Sequence, residues 1–164
     1  MNIRHLELVR VAMPLVRPFR TSFGVQETRD VLLVHVVTDD AEGWGECAAH
    51  AEPFYNEEFT ESAVMVLRRW LVPAVLAASE VRAADVSALC RQVKGYRAAK
   101  AGLEMALLDA ELRAVGTSLA DILFIPPCSP SISPIPPPTT PASETFSRLL
   151  ENRVWMLLAG VFPF

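Results

Sequence analysis

The residue types that most often do chemistry are thinly spread along this 164-residue chain. Its three histidines, His5, His35 and His50, are isolated from one another. No GxSxG elbow, P-loop, HExxH or GxGxxG after a strand ties any of them to a nucleophile, a metal or a phosphate. Lys94 and Lys100 are the only lysines, and no KxK pair exists. Beyond Asp121 there is no aspartate, and Glu144 and Glu151 are the only acids. Two carboxylates on a short amphipathic stretch are more often a solvated face than a magnesium site. Cys47, Cys90 and Cys128 lie far apart with neither CxxC nor zinc spacing, which predicts free thiols rather than a disulfide framework or a metal knuckle. Arg68 and Arg69, and the set Arg17, Arg20 and Arg29, could bind phosphate. In a chain of net charge -4 a solvated or ion-paired role has the higher prior.

Bulk properties narrow the partners in the same direction. The length suits one domain with a sizeable core plus a tail. A pI near 5.4 provides no electrostatic reason to expect nucleic acid or an anionic membrane. Charges within MNIRHLELVRV interrupt the apolar core a signal peptide needs, and the apolar run Val154 to Phe164 is about half the ~20 residues of a spanning helix. A soluble, cytoplasmic protein is the expectation.

The positioning elements follow from periodicity. Val9, Val11 and Met13 alternate with Arg10 and Ala12, which predicts a strand over residues 1 to 13 that Pro14 ends. Pro14 to Asp30, with two prolines and no sustained period, reads as a long connecting loop, and such loops are usually functional or mobile. Asp30 to Thr38 (DVLLVHVVT) is apolar on both faces and reads as a central strand covered on both sides. The turn Asp39 to Gly43, with Gly43 expected at positive φ, leads into a returning strand from Trp44 to Ala48. After Pro53 the period becomes about 3.6. One helix is expected from about Glu57 to Ala77, with Ala63, Leu67, Trp70 and Leu71 as its apolar stripe and a stop or kink at Pro73. A second should cover Ala83 to Val93, with Val86, Leu89, Cys90 and Val93 on one face. A third should cover Ala98 to Val115, with Ala101, Met105, Leu108, Leu112 and Val115 inward and Gly116 as an αL cap. Strands first and helices afterwards predict an α+β architecture: an antiparallel meander of about three strands, then about three helices. Eight of the sixteen residues from Pro126 to Pro141 are proline, so residues 124–143 should be extended or disordered. Residues 144–164 read as a short amphipathic tail, helical at most over Glu144 to Leu158.

Four stretches, in order, resemble the enolase superfamily, within the branch of o-succinylbenzoate synthases and N-acylamino-acid racemases. They are IRHLELVRVAMPLVRPFRTSFG, RDVLLVHVVTDDAEGWGEC, AEPFYNEE and KAGLEMALLDAELRAVGTSLADIL, together covering residues 1–123. The resemblance implies a capping domain that closes, through two loops, over the mouth of a (β/α)7β barrel. By position Phe19 and Phe23 fall in the first loop, and His50 and Tyr55 in the second. They would line the apolar side of the pocket around the acyl group of a small carboxylate substrate. Where relatives usually carry an apolar residue this chain has His50. The plainer readings are that Phe19 and Phe23 are core anchors, that His50 is a surface histidine, and that Glu46 is structural, bonded to backbone or to an arginine such as Arg20.

In the complete family a divalent metal, usually magnesium, neutralises an enediolate while a lysine removes the proton beside the carboxylate. The barrel that would hold these groups typically needs ~250 residues, and 41 follow Leu123. The expectation is therefore a capping domain with no catalytic residues and no metal or cofactor of its own, inactive by itself. Two further readings are a stand-alone module that binds a small ligand or a protein, and a chain that self-associates through the apolar surface meant for the barrel.

Overall fold

A computed structural model describes residues 1–22 and 24–123. The expectations for residues 124–143 and 144–164, and for Phe23, lie outside the described residues. Three antiparallel strands, β1 (Ile3–Thr21), β2 (Gly24–Thr38) and β3 (Glu42–Cys47), form a sheet in the order β1-β2-β3. Helical elements follow: α1 (Thr60–Val66), a π turn (Leu67–Leu71), α2 (Val72–Leu76), a 3-10 turn (Ala83–Asp85), α3 (Val86–Leu89), α4 (Arg97–Val115) and α5 (Leu119–Ile122). The α+β order and the central place of β2 match the sequence reading.

The core lies between one sheet face and the helices. Leu32, Val34 and Val36 of β2 point into it and meet Leu67, Leu71, Leu103 and Leu107. On the opposite face Leu33, His35 and Val37 are only half-buried, so β2 is covered fully on one side rather than two. His35 there stacks on Trp44 with ring centroids 3.9 Å apart. Its Nδ1 lies 2.8 Å from Glu7 Oε1 and its Nε2 3.1 Å from Glu42 Oε2.

Helix α4 sits unusually close to β3. A Cβ on Gly45 would stand 2.0 Å from the Gly102 carbonyl oxygen, and one on Gly43 2.2 Å from that of Ala106. Glycine is needed here because backbone approaches backbone. Gly43 is therefore a strand residue chosen for close packing, not the positive-φ turn residue expected. The turn itself is closed by Thr38, whose hydroxyl donates to the Ala41 carbonyl at 2.7 Å and accepts the Ala41 amide at 3.1 Å.

The same contact corrects the inward face of α4. Its buried residues include Ala99, Gly102, Leu103, Ala106, Leu107 and Ala110. Of the expected stripe only Leu112 is buried; Leu108 is half-buried, and Ala101, Met105 and Val115 are exposed. Small residues take the part of the inner face that meets β3, because bulky ones there would hold helix and strand apart, while Leu103 and Leu107 fill the core beside it. Gly116 ends the helix at φ 67 as expected.

Pro73 does not stop its helix. The chain stays helical from Thr60 to Leu76, with the wide π turn just before the proline, where the Val72 amide reaches back to the Leu67 carbonyl. A π turn absorbs the hydrogen bond that proline cannot make. The extra residue rotates Trp70 out of the expected stripe: it is exposed, with the Arg69 guanidinium 5.2 Å from its ring centroid. Between Ala83 and Val93 only two short turns of helix form, with Val86 and Cys90 buried and Leu89 and Val93 half-buried.

Candidate capping loops

The first candidate segment is a strand pair, not the expected irregular loop. Pairing of β1 and β2 continues past the core, with Phe19 opposite Gln26, Arg20 opposite Val25 and Thr21 opposite Gly24. The two prolines are accommodated by a register shift between Pro14 and Phe19, and β1 is an edge strand, where proline is tolerated. Most side chains beyond Met13 are exposed, and Phe19 is 59% exposed. Phe19 is thus no core anchor.

The second segment joins β3 to α1. Its base is closed by the His50 carbonyl, which accepts the Thr60 amide at 2.8 Å and the Thr60 hydroxyl at 3.1 Å. Above that base the His50 and Tyr55 rings meet with centroids 5.3 Å apart and planes tilted by 55°. The structure therefore brings these two sequence-predicted residues together, while Phe19 belongs to a different element. His50 is exposed, and Phe54 and Tyr55 are 67% and 73% exposed. Buried aromatic side chains normally supply core energy, so rings held in water at the tip of an otherwise packed domain are a ready contact surface.

Three acidic residues tie the elements around these segments together, and of them the sequence singled out only Glu46. Asp109 accepts the Trp44 amide at 2.9 Å and the Arg113 Nε at 2.9 Å, which gives one amide of the edge strand β3 a partner on α4. Glu46 pairs with Arg29 at 2.7 Å, structural as expected but with a different arginine from Arg20. Glu58, 8% exposed, accepts the amides of Ala98 and Ala99 at 3.0 and 2.8 Å. One signal for Glu58 was present in the sequence: the segment before α4 reads Gly95-Tyr96-Arg97, with no Ser, Thr, Asp or Asn to cap the helix.

The described residues do not fit the metal that the family resemblance implies. Among them no group of three or more His, Cys, Asp or Glu side chains is placed to hold an ion. Nor is a thiol nucleophile prepared. Burial pushes the Cys47 thiol up to about 11 and raises that of Cys90, the opposite of the shift a reactive cysteine needs. Among the described residues no helix is long and apolar enough to cross a membrane.

Comparison with known proteins agrees with this anatomy. Residues 3–123 match the family described as mandelate racemase / muconate lactonizing enzyme, N-terminal domain. The chain is 53% identical over 120 residues to an N-succinylamino acid racemase of Amycolatopsis, covering 73% of this chain and 33% of that protein. It is 32% identical over 123 residues to the o-succinylbenzoate synthase of Bacillus subtilis, covering 74% and 33%. A solved structure of a probable mandelate racemase from Alicyclobacillus acidocaldarius superposes with a TM-score of 0.68 at 36% identity, covering 74% of this chain and 34% of that one. The chain thus spans about a third of the length of the curated relatives it matches. With a sheet, a close-packed α4 and two exposed loops in the matched region, this chain belongs to the mandelate racemase / muconate lactonizing enzyme family, within the enolase superfamily, through that family's N-terminal domain.

Proposed function

We propose that residues 1–123 are the substrate-capping domain of an enzyme of the o-succinylbenzoate synthase or N-succinylamino acid racemase kind. In this reading Phe19 on the hairpin, and His50 and Tyr55 on the second loop, form the lid over the acyl group of a carboxylate substrate. The observation that carries it is the placing of exposed aromatic rings, Phe19, Phe54 and Tyr55, on two projecting segments of a domain whose core is otherwise closed. An acyl group entering such a lid removes apolar surface from water on both partners, at about 25 cal/mol per Å². The chemistry of the full reaction needs a proton acceptor and a cation to stabilise the developing charge. No proton-transfer step is assigned to the described residues, and in this reading residues 1–123 act only together with the remainder of such an enzyme.

Placing residues 3–123 in the Amycolatopsis racemase in place of its own matching third tests the capping role. The chimera should racemise an N-succinylamino acid, and Phe19→Ala or Tyr55→Ala within it should raise KM more than it lowers kcat. A correctly folded chimera whose kinetics ignore both substitutions would overturn the proposal. The isolated 164-residue chain, assayed with magnesium, should give no turnover. Turnover persisting after removal of contaminating full-length enzyme would refute its inactivity. The same exposed rings also favour a second reading, a free-standing cytoplasmic module that binds a small acyl ligand or associates with itself. A ligand titration and a sedimentation measurement on the isolated chain decide that reading, and a monomer without ligand response removes it.

A further inference from the structure

We infer that Glu58 is the positioning residue of the loop that carries His50 and Tyr55, fixing its base to the first turn of α4 so that the loop tip moves on a stationary stem. The inference gives a mechanical basis to the capping role and rests on that reading for its functional meaning only. Two observations lead to it independently.

The first concerns α4. Its N-cap residue, Tyr96, has φ 51 and ψ 49, a left-handed conformation unfavourable for a non-glycine residue, and makes no side-chain capping bond. The helix is capped instead from some forty residues earlier in the chain. Glu58 divides its two carboxylate oxygens between the Ala98 and Ala99 amides, so each donor has its own charged acceptor at the positive end of the helix. The second concerns the loop. Around Glu58 the backbone is bonded at each step: its own amide donates to Asn56 Oδ1 at 3.0 Å, the Phe59 amide to Ser62 Oγ at 3.2 Å, and the Thr60 amide to the His50 carbonyl at 2.8 Å. Outward of this base, Phe54 and Tyr55 are exposed. Local stability in proteins follows buried contacts and satisfied backbone, so opening should begin at the tip and stop at Glu58.

Glu58→Gln tests this with little change of volume. The amide keeps one acceptor and turns an NH2 group toward the second helix donor, which breaks one of the two bonds. Hydrogen exchange and limited chymotrypsin cleavage after Phe54 and Tyr55 are measured on the 164-residue chain without substrate. In Glu58→Gln the Ala98, Ala99 and Thr60 amides should exchange about tenfold faster, and cleavage at the tip should accelerate, while the Val34 and Val36 amides of β2 stay within about twofold. Asn56→Ala, which loosens the same stem from the exposed side, should move the same signals in the same direction by less. Unchanged exchange at Thr60 in both variants overturns the inference. So does an acceleration shared equally by Val34 and Val36, which would mean that Glu58 serves global stability alone. Because no substrate is involved, either failure leaves the kinetics of the chimera to judge the capping role separately.

Discussion

The contact between β3 and α4 and the outer half of the β1–β2 ribbon lie in one small domain but are built on opposite terms. At the contact, three glycines and a run of alanines let backbone meet backbone, and a Cβ added at Gly43 or Gly45 would overlap main-chain atoms. On the ribbon, Val16, Phe19 and Val25 project into water and the pairing register slips. Close packing tolerates no insertion, whereas an exposed ribbon tolerates most. The lesson is that this domain confines precision to the platform and leaves surface chemistry free to vary on what the platform carries.

The largest expected effect lies at the contact. Gly45→Ala should destabilise the domain by at least about 3 kcal/mol, or prevent folding, because the new methyl meets the carbonyl of Gly102, which has no rotamer to yield. Urea denaturation checks this; a loss below about 1 kcal/mol would mean that helix and strand can part, and the contrast with the ribbon would weaken.

A smaller effect comes from Cys47, at the end of the same contact. Desolvation is the main cause that pushes its thiol up to about 11, with a bond from the Ala49 backbone opposing and the charges of Glu58 and Glu46 adding to the rise. The folded state keeps a proton that the unfolded chain releases above its ordinary thiol range. The contribution is therefore complete below about pH 8.5 and is lost as the pH rises toward the folded value, by roughly 2 kcal/mol. Unfolding free energies of the parent and of Cys47→Ala, compared at pH 8 and pH 10.5, should converge at the higher pH. A constant difference would place the thiol in water, contrary to its burial.

Smallest of all should be substitutions on the projecting segments. Phe19→Ala and Tyr55→Ala should each change unfolding free energy by no more than about 0.5 kcal/mol, since neither ring is buried. Thermal or urea melts of the two variants decide the matter, and a loss above about 1.5 kcal/mol would show that these rings anchor the domain rather than serve a ligand.

Much of this division was legible from residue order. Alternation over Val9 to Met13 and the β-branched run of β2 identified the sheet, since a period of two has one structural meaning. Helix α4 was read with its ends nearly correct because Gly116 marks the stop. Its inward face was misread, because large apolar residues stand all round the helix, and the face that turns inward joins Leu103 and Leu107 to the small residues Ala99, Gly102, Ala106 and Ala110. What selects that face is the pair Gly43 and Gly45 on another element, against which Gly102, Ala106 and Ala110 pack and which no local pattern connects to it. Pro14 and Pro18 likewise suggested a loop, yet an edge strand with a register shift accommodates both. Of the candidate site, the chain order placed Phe19, His50 and Tyr55 on two segments before α1, but not the support beneath them. Glu58 and Asp109 act across 41 and 65 residues, as hydrogen-bond partners that proximity in sequence cannot reveal.

By itself the order of residues determined the α+β class, the succession of strands and helices, the C-terminal cap of α4 and the scarcity of groups able to perform catalysis. Those properties depend on local periodicity, backbone preference and composition, all of which are carried by neighbouring residues. Tertiary structure alone decided which face of α4 turns inward, how the proline-bearing strand continues, and which acid holds the second loop to a helix. Each of these is settled by how closely two distant pieces of backbone approach, and that distance is set only when the whole core packs.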